Sequence, residues 1–172
     1  IQRGVGTSAN GAAAFGATID LQTNSLNKDA YAEYKTAAGS FNTFKNTVSA
    51  GTGLLNKKFT LDARFSKISS DGFIDRAFSH LKSFFVSGGY YSEKSVIKIN
   101  IFSGSEETYQ SWWGVPSVRL NNDLEGMQRY EDHWLYTPQQ TREMINSDSR
   151  KYNYYTYENQ IDHYQQDYYH FH

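Results

Sequence analysis

The chain has 172 residues, long enough for one domain with a core, and its formal net charge of -1 gives no electrostatic argument for binding nucleic acid or an anionic membrane surface. It contains no cysteine, which excludes disulfides, thiolate metal sites and a cysteine nucleophile. Aromatic residues make up 16% of the chain, an excess that suits a packed core or a boundary between apolar and aqueous surroundings.

The first 27 residues are rich in glycine, alanine, threonine, serine and asparagine. Alternation over 18–23 predicts a short strand, and the glycines before it indicate tight turns. The glycine run that begins at Gly4 does not predict nucleotide binding. A phosphate-binding loop ends in Gly-Lys-Ser/Thr, and no lysine occurs before Lys28.

From Ala30 onward, alternating apolar and polar residues predict a series of strands. We place these strands at 30–37, 41–53, 59–68, 81–91, 95–104 and about 164–172. One face of them is apolar and includes Phe59, Leu61, Ala63, Phe65, Phe84, Val86, Ile97, Ile99 and Ile101. The other face is polar and includes Asp62, Arg64, Lys98 and Asn100.

Two architectures fit these two-faced strands. In a soluble β-sandwich the apolar face would be the core, whereas in a membrane barrel it would meet lipid and the polar face would line a wet lumen. The predicted connections alternate between short and long, at 54–58, 69–80, 92–94 and 105–163. This alternation favours a barrel with tight turns at one rim and long loops at the other. A helical turn is predicted at 141–148 within the longest loop.

The opening segment IQRGVGTSANGAAAFGATIDLQTN resembles the end of the plug domain of TonB-dependent outer-membrane receptors. The matching positions are Arg3, Gly4, Gly11, Ala14, Gly16, Ile19 and Thr23. Ala17 and Asp20 depart from the pattern, which commonly has a second glycine and an asparagine there. The stretches FNTFKNTVSAGTG, DARFSKISSDGFIDRA and SWWGVP then resemble the first barrel strands and upper loops of that family, in the expected order.

The resemblance implies an all-β fold: an antiparallel transmembrane β-barrel segment, part of a plugged barrel of about 22 strands, preceded by the end of a plug domain. Residues 1–27 would be the end of the plug, and 28–172 the first strands with a long extracellular loop at about 105–163. Both ends of the sequence then read as cuts through a longer protein. Members of the family lie in the outer membrane of Gram-negative bacteria.

The implied function is transport, not catalysis. Such receptors bind a scarce nutrient at the outer face, for example a ferric siderophore, haem or cobalamin, and import it to the periplasm. The implied partners are TonB, acting through a plug segment outside this sequence, outer-membrane lipid and the small-molecule or metal-chelate substrate. Whether a surface lipoprotein caps the outer face is left open. No cofactor or nucleic acid is expected.

Three aromatic residues of the long loop, Tyr109, Trp112 and Trp113, are candidates for contact with substrate, with interfacial anchoring or loop packing as the alternative. The resemblance also suggests an ion pair between the plug and the barrel wall. Arg3 and Asp62 are its candidates, and a solvated arginine is the alternative.

Histidines and carboxylates are the side chains of this sequence that could carry metal binding or hydrolysis. His163, His170 and His172 lack a defined third ligand, so no metal site is predicted. Glu106, Glu107, Asp71, Asp75 and Asp123 are scattered through loops, and no catalytic residues are predicted among them. Two rival interpretations stay open: a soluble β-sandwich that binds glycans or proteins, and an adhesion-type barrel without transport.

Overall fold

The computed structural model of the chain describes residues 2–5, 15–18, 26–133 and 136–171. Strands β1 (Gln2–Val5) and β2 (Phe15–Thr18) pair antiparallel, with Gln2 opposite Thr18. The strand predicted at 18–23 therefore falls outside the described residues except for its first residue.

Six further strands form one antiparallel sheet in which each strand pairs with the next along the chain. They are β3 (Tyr31–Gly39), β4 (Thr43–Gly51), β5 (Phe59–Ser70), β6 (Ser79–Tyr91), β7 (Val96–Tyr109) and β8 (Ile161–Phe171). The predicted all-β class and the predicted strands are confirmed. The main difference is β7, which runs beyond the predicted end at 104 because β6 pairs with it as far as Thr108 and β8 as far as Tyr109.

The cross-strand register places the predicted apolar residues on one face of the sheet. Ala63 lies opposite Val86, and Val86 lies opposite Ile101. Directly opposite residues of an antiparallel pair project to the same side, so these three form one row. The same register gathers the predicted polar residues on the other face.

The apolar face is a single exposed layer. Phe59, Leu61 and Phe65 remain 50%, 51% and 56% exposed, and Ile97 and Ile99 are exposed as well. Within the described part of the chain no helix or second sheet packs on this face. The described residues therefore do not supply the second layer that the core of a sandwich requires.

The polar face is the concave side of the sheet. It bounds a cavity of about 1550 Å³ that is lined by polar-face residues of all six strands, from Tyr31 on β3 to Tyr168 on β8. The sheet is therefore curved with its polar residues inward and its apolar residues outward.

The compact core among the described residues lies in the connection between β7 and β8. This connection carries α1 (Ser117–Leu120), α2 (Leu124–His133) and α3 (Pro138–Asn146). Met127, Met144 and Tyr152 are buried together between them. We call residues 110–160 the outer segment. No helix among the described residues is long and apolar enough to cross a membrane.

Helix α3 corresponds to the helical turn predicted at 141–148, but it begins earlier. Thr137 caps it, accepting from the Gln140 backbone N–H at 3.2 Å, while the Gln140 side chain accepts from the Thr137 N–H at 2.9 Å. Pro138 follows at the first helical position. This reciprocal pair satisfies two N–H groups that a helix start leaves unpaired.

The predicted alternation of short and long connections needs a correction. Residues 40–42 join β3 to β4 at the same rim as 71–78 and the outer segment, yet this connection is shorter than those of the opposite rim, 52–58 and 92–95. Phe41 and Asn42 make this possible by adopting φ values of 59° and 50°, which let the chain reverse within three residues.

Candidate functional site

A row of polar side chains crosses the concave face at one level. Register places Tyr31, Gly51 and Asp62 side by side on β3, β4 and β5. The Tyr31 hydroxyl donates to Asp62 Oδ1 at 3.1 Å, across the glycine between them. A Cβ at Gly51 would collide with the Tyr31 ring and the Asp62 carboxylate. Gly51 is therefore needed so that the tyrosine can lie across the strand.

The row continues over the remaining three strands. Ser87 lies opposite both Asp62 and Asn100, and its hydroxyl donates to Asn100 Oδ1 at 2.8 Å. Asn100 Nδ2 lies 3.5 Å from His170 Nδ1 on β8. Hydrogen-bonded polar groups thus cross the concave face from β3 to β8, which gives that face a polar, water-compatible surface.

The next row toward the outer segment is aromatic and cationic. The Arg64 guanidinium lies 5.8 Å from the centre of the Phe85 ring. The ring centres of Phe85 and Phe102 lie 6.4 Å apart, and Phe102 stacks on Tyr168 with ring centres 4.7 Å apart. Such a row can hold a planar or anionic group on the cavity wall.

The outer segment is fastened over this rim of the sheet by Arg76, in the connection 71–78. Its Nη2 donates to the carbonyl oxygens of Asn153 at 3.1 Å and Tyr155 at 2.9 Å. Its Nη1 lies 3.8 Å from Glu143 Oε2 on α3. Arg76 has a φ of 66°, an uncommon conformation for a residue with a side chain, which the surrounding contacts hold in place.

The outer segment presents a continuous group of aromatic rings, which we call the aromatic patch. Trp113 stacks on Tyr154 with ring centres 5.7 Å apart. The ring centres of Tyr154 and Tyr136 lie 4.9 Å apart, and those of Tyr136 and Tyr130 lie 5.1 Å apart. Trp113 remains 64% exposed. The patch is rooted in the buried core of the segment and ends at a solvent-facing indole, which is a geometry suited to stacking against a planar or apolar ligand.

Burial perturbs two tyrosines at the base of this patch. It raises the pKa of Tyr136 to about 12. The pKa of Tyr152 is also raised, first by burial and then by the neighbouring Tyr136. Both hydroxyls are therefore neutral at physiological pH and act as hydrogen-bonding groups.

The three aromatic residues predicted to contact substrate occupy different environments. Tyr109 is buried at the end of β7, and its hydroxyl donates to the Tyr157 carbonyl at 2.8 Å. Trp112 is 77% exposed, and Trp113 belongs to the aromatic patch. The two tryptophans thus lie at the surface of the outer segment, while Tyr109 packs beneath it.

Of Arg3 and Asp62, the two residues predicted to form an ion pair, the structure describes the side chain of Asp62. Asp62 lies on the concave face as expected, with Tyr31 as its hydrogen-bond donor. The Arg3 side chain falls outside the described residues.

The histidines do not share one site. His163 lies on the convex, apolar side, 3.6 Å from Glu107 Oε2, whereas His170 lies on the concave side. His172 is outside the described residues. In the described portion of the chain no three histidine, cysteine or acidic residues gather as metal ligands. Glu106 and Glu107 are consecutive residues of β7 and so project to opposite faces.

Several residues of the site were not identified from the sequence: Gly51, Arg76, Asn153 and Tyr154. Each of them acts through contacts with residues distant in the chain. Comparisons of the chain with protein-family models, with curated proteins and with solved structures return no match.

Proposed function

We propose that this chain is part of a TonB-dependent outer-membrane transporter. The observation that carries the proposal is the polarity of the curved sheet, which turns polar residues toward a cavity and exposes apolar residues such as Phe59 and Leu61 outward. A soluble protein has the opposite arrangement, because exposing an apolar surface to water costs about 25 cal/mol for each Å². In a bilayer the outward apolar face is favourable.

The two edges of the sheet add a second argument. Among the described residues β3 pairs with β4 alone and β8 with β7 alone, so there each edge strand presents unpaired backbone groups on its outer side. Hydrocarbon offers no partner for such groups, so a membrane sheet must close. In the proposal, further strands of the complete protein close a barrel of about 22 strands around the plug that ends near residue 27.

Transport follows from the combination of plug, lumen and outer segment. The aromatic patch of the outer segment binds the substrate, the plug rearranges when TonB pulls on its N-terminal segment, and the substrate passes along the polar wall. The substrate class proposed is a scarce nutrient such as a ferric siderophore, haem or cobalamin. The resemblance to plug segments supports transport over simple adhesion, because an adhesin needs no gate.

Detergent dependence tests the membrane part of the proposal. The complete protein that contains this chain is purified with and without detergent and analysed by size-exclusion chromatography with light scattering. We expect a monodisperse species only in detergent. A monodisperse protein in plain buffer would instead support the soluble β-sandwich.

A binding screen tests the transport part. Isothermal titration calorimetry of the complete protein against ferric siderophores, haem, cobalamin and oligosaccharides should identify one ligand class. Trp113→Ala should weaken binding of that ligand, because the exposed, stacked indole of Trp113 is the group proposed to contact it. Leu124→Ala, at an exposed position of α2 outside the aromatic patch, serves as the control. Equal binding by both variants would remove the patch from the binding site.

A further inference from the structure

The convex face changes from apolar to polar along one row of the sheet, which we call the basic row. Register places its members side by side on six strands: Thr36, Asn46, Lys67, Lys82, Ser105 and Gln165. Lys67 and Lys82 are direct cross-strand partners, and both are exposed. Like charges directly opposite one another in a sheet repel, so this pairing is unfavourable and an anion between them would relieve the repulsion.

In the described part of the chain no acidic residue offsets these two charges. Among the described residues neither lysine forms an ion pair. The nearest carboxylates by register lie one row away and have other partners: Glu107 lies 3.6 Å from His163 Nδ1, and Asp167 accepts from Gln165 Nε2 at 3.5 Å. The basic row therefore keeps a local positive charge.

Asn46 adds to the donor character of the row. Its Oδ1 accepts from the Tyr34 hydroxyl at 2.7 Å and from the Thr36 hydroxyl at 2.9 Å, both on β3. The Nδ2 donors lie at the other end of the amide, and Lys67 on β5 is the cross-strand partner of Asn46. Two ammonium groups and an amide thus face the same space, a combination that suits an anion with several oxygen acceptors.

The space itself has an apolar lower half. A cavity of about 470 Å³ is lined by Lys67, Lys82 and Asn46 and also by Val48, Phe65 and Phe84, which lie one row further into the apolar band. A free inorganic anion would use only the upper half. An amphiphile with an anionic head and hydrocarbon chains would use both.

We propose that this cavity binds a membrane lipid with a phosphate-bearing headgroup. The phosphate lies between Lys67 and Lys82, and the acyl chains run along Val48, Phe65 and Phe84. This inference rests on the proposed function, since it requires lipid at the convex face. The basic row lies toward the rim that bears the outer segment, so the lipid belongs to the outer leaflet. Lysines at a lipid surface attract anionic headgroups by this electrostatic mechanism.

Native mass spectrometry of the complete protein in detergent tests the inference, with diphosphorylated lipid A as the probe. The double variant Lys67→Gln/Lys82→Gln should bind this probe about 30-fold more weakly, the factor that two lysines contribute at an anionic lipid surface. Lys58→Gln/Lys94→Gln, which makes the same charge change in turns of the opposite rim, should bind as the unmodified protein does. Lys67→Arg/Lys82→Arg should retain binding, which excludes loss through misfolding.

Two further probes distinguish the sources of phosphate. Dephosphorylated lipid A should not be retained, and inorganic phosphate in large excess should not displace the lipid. Equal retention by the glutamine double variant, equal retention of the dephosphorylated lipid, or full displacement by inorganic phosphate would overturn the inference. If detergent dependence persists in that case, the membrane proposal stands; a protein that is monodisperse without detergent overturns both.

Discussion

Arg76, in the connection 71–78, and Asn153, in the outer segment, each donate a hydrogen bond to a main-chain carbonyl of the other stretch. The Arg76 guanidinium donates to the Asn153 carbonyl at 3.1 Å, and the Asn153 side-chain amide donates to the carbonyls of Asp75 and Gln110, each at 2.9 Å. Asn153 is 1% exposed, and its Oδ1 accepts from the Tyr155 N–H at 3.1 Å. This reciprocal contact holds the outer segment against the connection 71–78.

Replacing Asn153 should therefore release the outer segment while the sheet stays folded. Asn153→Ala leaves the carbonyls of Asp75 and Gln110 without these donors, at a cost of about 1–3 kcal/mol for each buried group left unsatisfied. We expect faster proteolysis within 110–160 and unchanged strand content by circular dichroism. Asn159→Ala, at an exposed position of the same segment, is the control and should be cleaved at the unmodified rate.

Neighbouring residues of β7 should respond oppositely to substitution. Ile99 lies on the outward apolar face and Lys98 on the concave face. In a membrane, Ile99→Arg should destabilise the barrel by about 2–4 kcal/mol near the bilayer midplane, whereas Lys98→Ala should cost little. Denaturant unfolding of the complete protein in lipid vesicles measures both. Equal effects would contradict the proposed orientation of the sheet.

Gly51 should tolerate no side chain, although another glycine of the sheet does. In Gly51→Ala the added methyl group collides with Tyr31 and Asp62, which breaks their hydrogen bond and costs about 1–3 kcal/mol through overpacking. Gly88→Ala is the matched control, because a Cβ there meets no atom within 4 Å. Denaturant unfolding in the same vesicles should separate the two variants. A small effect at both positions would show that Tyr31 does not need the space above Gly51.

The outer segment should lose stability at alkaline pH. An unfolded tyrosine has a pKa of 10.0, and Tyr136 in the folded segment has a pKa of about 12. The unfolded state therefore releases this proton first, so the stability present below pH 10 is lost as the pH rises toward 12. Absorbance at 295 nm and near-ultraviolet circular dichroism follow ionisation and packing. Tyr136→Phe should shift the loss of packing to higher pH, and an unchanged transition would assign it to other groups.

The sheet was predictable where one face is apolar. Phe59 to Phe65 and Ile97 to Ile101 alternate with polar residues, and this period of two fixes both the strand and its faces. The end of β7 was missed because Ser103 to Glu107 carry no apolar alternation. Their strand conformation depends on pairing with β6 on one side and with β8, which lies beyond the whole outer segment in sequence, on the other.

The outer segment was harder to predict because its core is small. Met127 and Tyr130 share a face of α2 by helical spacing, but most of that helix is charged or polar, so its pattern is weak. The start of α3 did carry a local signal, in Thr137, Pro138 and Gln140. The contacts of Arg76 with Asn153 and Tyr155 have no local sequence signal, since they join residues far apart in the chain.

The fastening of the outer segment has a consequence for how binding specificity can change. Arg76 and the Asn153 amide donate to main-chain carbonyls at Tyr155, Asp75 and Gln110, and every residue type supplies such an acceptor. The surface rings can therefore be exchanged without rebuilding the attachment. Under the proposed function, exchanging the exposed rings of Trp112 and Trp113 while keeping Glu143, Asn153 and Tyr155 should alter selectivity and leave the attachment intact.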